Sequence, residues 1–85
     1  MRFPLRLEWK SGVYSNLAKA DRRLAARIRE KARRWALYGE GDWRPLRGQP
    51  GFFRLRVGDW RVILFQAETG EVIVWRVEAR GSVYD

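Results

Sequence analysis

An α+β fold, with helices packed on one face of a mainly antiparallel sheet, is predicted by three features of the sequence. They are an alternating apolar segment at the start, two helix-length segments in the middle, and three strand-like runs joined by short Gly-containing turns. Phe3, Leu5, Leu7 and Trp9 alternate with Pro4, Arg6 and Glu8, the period of a strand with one buried face. Pro4 places that strand at an edge or marks its start. Ser11 is positioned to cap a short helix through Ala20 that carries Val13, Tyr14 and Leu17 on one side. Asp21 is positioned to cap a second helix running to about Tyr38, before Gly39. In the second helix Leu24, Ala25, Ile28, Ala32 and Trp35 fall on one stripe, with Arg22, Arg29 and Arg33 flanking it on one side and Arg23, Arg27 and Arg34 on the other.

Residues 39–51 concentrate Gly and Pro and read as mostly loop. Three strands follow, Phe52 to Val57, Trp60 to Ala67 and Glu71 to Glu78, joined by Gly58-Asp59 and by Glu68-Thr69-Gly70, both of hairpin length. The order is therefore a strand, a helical hairpin and a three-stranded meander. No linker or low-complexity stretch divides the chain, so residues 1–85 read as one domain.

At 85 residues there is room for one core, and the composition narrows the chemistry. The chain has no Cys, so neither a disulfide framework nor a thiolate metal site holds it together. It has no His, which removes the commonest metal ligand and the commonest general base. No metal and no cofactor is expected. No apolar run reaches membrane-spanning length and the first residues lack a secretory signal, so the expected location is the cytoplasm. Lys and Arg number 18 against 10 Asp and Glu, a net charge of +8. Residues 1–50 hold 13 of the cations and 5 of the acids, so the whole excess lies there. Fifteen of the 18 are Arg, whose planar fork binds phosphate through two donors and stacks on aromatic faces. Such a surface fits a polyanion: nucleic acid, an acidic protein or an anionic membrane.

With Gly58-Asp59 as a two-residue turn, Val57 faces Trp60, Arg56 faces Arg61, and Arg54 shares their side. Phe53, Leu55, Val57, Trp60, Val62 and Leu64 then fill the opposite, helix-covered face. Like charges opposed across strands are unfavourable, so this register asks for an anion or a carboxylate to bridge the guanidiniums. The arginine face continues through Ile63, Phe65, Ile73 and Trp75. Those aromatics either stack bases beside a phosphate held by arginine or are covered by the loop or the tail. In the tail, Arg80 is a further phosphate ligand or a solvated charge, and Tyr84 a titratable hydroxyl or an anchor for the C-terminus. Asp42, Asp59, Glu68, Glu71 and Glu78 read as solvated residues of turns and strand ends. Metal-free RNA cleavage needs a base for the 2′-hydroxyl, positive charge on the phosphorane and an acid for the leaving oxygen. Arginine supplies the charge, and Tyr84 is the candidate for proton transfer, its pKa lowered by neighbouring guanidiniums.

The run Pro45-Leu46-Arg47-Gly48, then Gly51 through Ile63, and the end Val74-Trp75-Arg76-Val77-Glu78-Ala79-Arg80-Gly81-Ser82-Val83-Tyr84 resemble the RelE/ParE superfamily of bacterial toxins. The resemblance implies the RelE-like fold and the toxin half of a type II toxin–antitoxin pair. RelE-like members are ribosome-dependent endoribonucleases that cut mRNA in the A site, whereas ParE-like members poison DNA gyrase. Carried over by position, Arg54, Arg56, Arg61, Arg80 and Tyr84 form the catalytic set. Arginine stands at 54 and 56 where lysine is frequent, and Ala79 where many members have His. The resemblance further implies ribosomal RNA contacts from Arg22, Arg23, Arg27, Arg29, Arg33, Arg34 and Arg47. It makes Ile63, Phe65 and Trp75 either the seat of an antitoxin with an acidic segment or a base-stacking surface. The implied partners are that antitoxin, the ribosome and mRNA, or alternatively gyrase, and no membrane.

Overall fold

The structure, a computed structural model, describes residues 1–79. Its elements in chain order are β1 (Leu7–Trp9), α1 (Val13–Ala20), α2 (Arg22–Tyr38), β2 (Asp42–Pro45), β3 (Phe52–Val57), β4 (Trp60–Gln66) and β5 (Val72–Ala79). The five strands form one sheet in the order β1-β5-β4-β3-β2, in which only the β1–β5 pair is parallel. The α+β class holds, and both later hairpins form where the turn residues place them. At the first, Gly58 has φ 58°, and among the described residues no non-Gly residue has positive φ. That matches a type II′ connection, with glycine at the first central position.

Three local expectations are corrected. The N-terminal strand is limited to Leu7–Trp9. Phe3 and Leu5 still pack on the core, but the Leu5 amide donates to the Ala36 carbonyl of α2 at 2.6 Å and not to a strand. Ser11 does not cap α1: Gly12 holds that position in the left-handed region with no side-chain cap. Residues 39–51 contain a strand, β2, paired antiparallel with β3, so the meander has four strands. The Gly and Pro of that segment bracket the strand. Trp43 carries it, packing against the core and donating from its indole N–H to the Gly39 carbonyl at 3.2 Å.

The long helix follows its sequence pattern. The Asp21 carboxylate accepts the Leu24 amide at 3.0 Å, satisfying one free donor of the first turn, and Gly39 ends the helix at φ 74°. Ala25, Ile28, Ala32, Trp35 and Ala36 are buried against the sheet. Trp35 is fully buried and meets Phe3 and Trp43 edge-on, each at 5.7 Å between centroids. From the sheet, Leu55, Val57, Val62, Leu64, Val72 and Val74 complete this core. The helices therefore use up one face of the sheet and leave Arg54, Arg56 and Arg61 on the other.

Candidate RNA-binding site on the open face of the sheet

β3 and β4 pair in the register read from the turn: Val57 with Trp60, Arg56 with Arg61, Leu55 with Val62 and Arg54 with Ile63. Because side chains alternate along a strand, burying Leu55, Val57, Val62 and Leu64 forces the three arginines to the far side. β2 adds to the same side, placing Asp42 opposite Arg56 and Arg44 opposite Arg54.

The pairing of β4 with β5 departs from simple alternation. Ile63 pairs with Arg76 and Leu64 with Val74, so Trp75 is an extra residue, a β-bulge. Unbroken pairing would have set Arg76 opposite the buried Val62. The bulge instead turns Val77 to the core side and brings Arg76 and Glu78 to the arginine side, where Glu78 lies opposite Arg61. Neither was among the residues expected at the site. Their signal was present in the sequence: a charge at 76 and another at 78 do not fit the buried face that uniform alternation assigns them.

The bridging carboxylate that the arginine register requires is Glu78, which is therefore not the solvated end residue expected, whereas Asp42, at the start of β2, is exposed as expected. Arg61 donates from Nη2 to Glu78 Oε1 at 2.7 Å, and Arg76 from Nε to Glu78 Oε2 at 3.0 Å. The Arg61 and Glu78 side chains are only 18% and 17% exposed, so this pair is screened less than a surface pair. Asp42 sits more loosely between its neighbours, 4.0 Å from Arg54 and 3.9 Å from Arg56. Beside the Glu78 pair opens a cleft of about 360 Å³ lined by Leu46, Gln49, Arg61, Ile63, Arg76 and Glu78. The connection after β2 makes its wall, as it curls back through the bond from the Phe52 amide to the Gln49 carbonyl.

At the other end of the open face Phe52, Phe65 and Trp75 pack together, with centroids 4.8 to 6.0 Å apart, and the Lys10 ammonium lies 4.2 Å over Trp75. Phe65 and Trp75 are half-buried. Ile63 is 1% exposed and lies beneath this surface, so a docking molecule would meet Phe65 and Trp75 instead. Among the basic residues of α2, Arg33 holds Glu30 and Arg34 holds Glu40 through two hydrogen bonds each, at 2.8 and 3.0 Å. Arg29 lies 5.4 Å over the Tyr14 ring. Arg22, Arg23 and Arg27 are exposed, as is Arg47 after β2. Arg80 and Tyr84 lie outside the described residues. The last described residue, Ala79, pairs with Trp60, one rung from Arg61 and Glu78. No helix among the described residues is long and apolar enough to cross a membrane.

The open face thus carries five arginines, Arg44, Arg54, Arg56, Arg61 and Arg76, with the carboxylates of Glu78 and Asp42 among them. No family profile and no curated protein sequence matches the chain. Solved structures do. A chain of the toxin–antitoxin complex RelBE2 from Mycobacterium tuberculosis superposes with a TM-score of 0.75 at 22% identity, over 96% of this chain and 98% of that one. A chain of the archaeal RelE–RelB complex from Pyrococcus horikoshii gives 0.72 at 19% identity, over 95% and 100%. The YoeB dimer from Staphylococcus aureus gives 0.65 at 15% identity, over 92% and 99%. The chain thus has the RelE-like fold along nearly its whole length.

Proposed function

We propose that the protein is the toxin of a type II toxin–antitoxin pair and an endoribonuclease that cuts mRNA on the ribosome in the cytoplasm. The observation that carries this reading is the convergence of Arg54, Arg56, Arg61 and Arg76 on the one sheet face the helices leave uncovered. The RelE-like fold supports it. In this reading Arg54, Arg56 and Arg61 hold the scissile phosphate and offset the charge that grows on the phosphorane, while Arg80 adds a further cation. Guanidiniums stay protonated at neutral pH, so they do not move the proton. Tyr84 is assigned that role.

Glu78 is then the internal occupant of the phosphate site. A phosphodiester entering between Arg61 and Arg76 must displace its carboxylate, so the free protein binds RNA weakly and substrate ordered by the ribosome is favoured. An antitoxin carrying an acidic segment, laid across the same arginines beside Phe65 and Trp75, blocks the site by charge and by bulk.

Toeprinting of a message translated in the presence of the purified protein tests the reading. The expected result is new 5′ ends within the codon held in the A site. Intact message at concentrations that arrest growth would overturn it, and double-strand DNA breaks dependent on gyrase would replace it with gyrase poisoning.

A further inference from the structure

A second cationic recess lies at the end of the sheet, between α2 and the β3–β4 turn. It has a volume of about 260 Å³, and its lining cations outnumber its carboxylates four to two. The four are not equivalent. Arg34 is committed to Glu40 through two hydrogen bonds, and Arg56 faces Asp42 at 3.9 Å. Arg27 and Lys31, one helical turn apart on α2, have no carboxylate partner among the described residues. Like charges at this spacing are destabilising on a helix surface.

Arg27 also lies against the turn: a Cβ on Gly58 would stand 2.7 Å from Arg27 Nη2 and 3.3 Å from its Cζ. Gly58 itself supplies the positive φ of the hairpin. The floor of the recess is Leu55 and Val57, part of the rigid core. Arg56 and Asp42 belong both to this recess and to the arginine face, which makes the two basic surfaces continuous around the end of β3.

We propose that this recess is a second phosphate site, in which Arg27 and Lys31 take an RNA phosphodiester while the open-face arginines hold another. The inference rests on the RNA reading given above. The ligand chemistry is a phosphodiester monoanion, supplied either by the bound message strand itself or by ribosomal RNA.

The test is equilibrium binding of fully 2′-O-methylated, uncleavable RNA of 3 and of 12 nucleotides, and of ribosomes, by Arg27→Gln/Lys31→Gln and by Arg61→Ala. Both Gln positions are exposed on α2 and glutamine is a good helix former, so the fold is retained. For the 12-mer the double variant is expected to raise Kd about tenfold and to reduce the slope of log K against log salt by about one, with the 3-mer unchanged. That result assigns the site to the message strand. An equal loss seen with ribosomes but not with free RNA assigns it to ribosomal RNA. Unchanged binding in both, while Arg61→Ala weakens every RNA, overturns the second site and leaves the first standing. If Arg61→Ala is also without effect, the RNA reading itself falls, and the recess with it.

Discussion

Arg61 is the most enclosed of the open-face cations whose ion pairs are described, and it shares Glu78 with Arg76. Under the proposed function, an arginine so placed would act on a phosphorane from a fixed position, with little rearrangement left to make when charge develops. Arg61→Ala is expected to lower cleavage of translated message by about 10²-fold or more, the usual cost of removing one preorganised donor. The folded state should persist, because Arg76 still satisfies Glu78; circular dichroism and primer extension on the same sample check both halves. Glu78→Gln has the opposite sign. It removes the carboxylate that, under the proposed function, competes with phosphate, and is expected to tighten binding of uncleavable RNA by about fivefold, the equivalent of roughly 1 kcal/mol for a partly exposed charge. Fluorescence anisotropy in low salt reads this directly, and weaker binding by the variant would show that Glu78 orients the arginines and does not mask them. The arginines themselves were legible from alternation around one turn. Glu78 and Arg76 were not, because one bulged residue reverses the facing of everything beyond it.

Among the elements, α2 was the most legible, since capping, periodicity and a terminal glycine all agree on its limits. Its central residue is Trp35, fully buried between Phe3 and Trp43. Trp35→Ala is expected to cost about 3–5 kcal/mol through lost contacts and the cavity left behind. That is a large share of the roughly 5–15 kcal/mol that holds a domain folded, so urea denaturation should find the variant's midpoint markedly lowered. On the outer face of α2 the hydrogen bond from Arg33 is the main cause holding the Glu30 carboxyl below its ordinary value, against a smaller opposing effect of desolvation. A depressed carboxylate contributes stability above its unfolded pKa and loses it as pH falls through the folded one. Both groups are solvent-exposed, so the effect on unfolding is small. In an NMR titration the Glu30 carboxyl of Arg33→Ala should return toward the ordinary value. β2 was not legible. Its four residues include Pro45 and lie between glycines, so local propensity argues for loop. Pairing with β3 and the packing of Trp43 on the core override it.

For the molecule as a whole, the net +8 sets the scale of its association with polyanions. Binding of single-stranded RNA should weaken with salt at a slope of about 0.7 per phosphate contact, so three open-face contacts give a slope near about −2. Titration of affinity between low and physiological salt checks the number of contacts made. An acidic antitoxin segment co-expressed with the chain is expected to abolish both RNA binding and cleavage at one equivalent. The sequence by itself determined the fold class, the long helix, both β-hairpin turns and the side of the sheet to which Arg54, Arg56 and Arg61 project. Each of these follows from local periodicity or from the chemistry of one turn, which neighbouring residues specify. Only the tertiary structure decided that β2 joins the sheet, that β5 bulges at Trp75, that Glu78 bridges the arginines, and that Arg27 rests on Gly58. Those features depend on groups far apart in the chain meeting at a fixed distance, and that distance is set by how helix and sheet pack together.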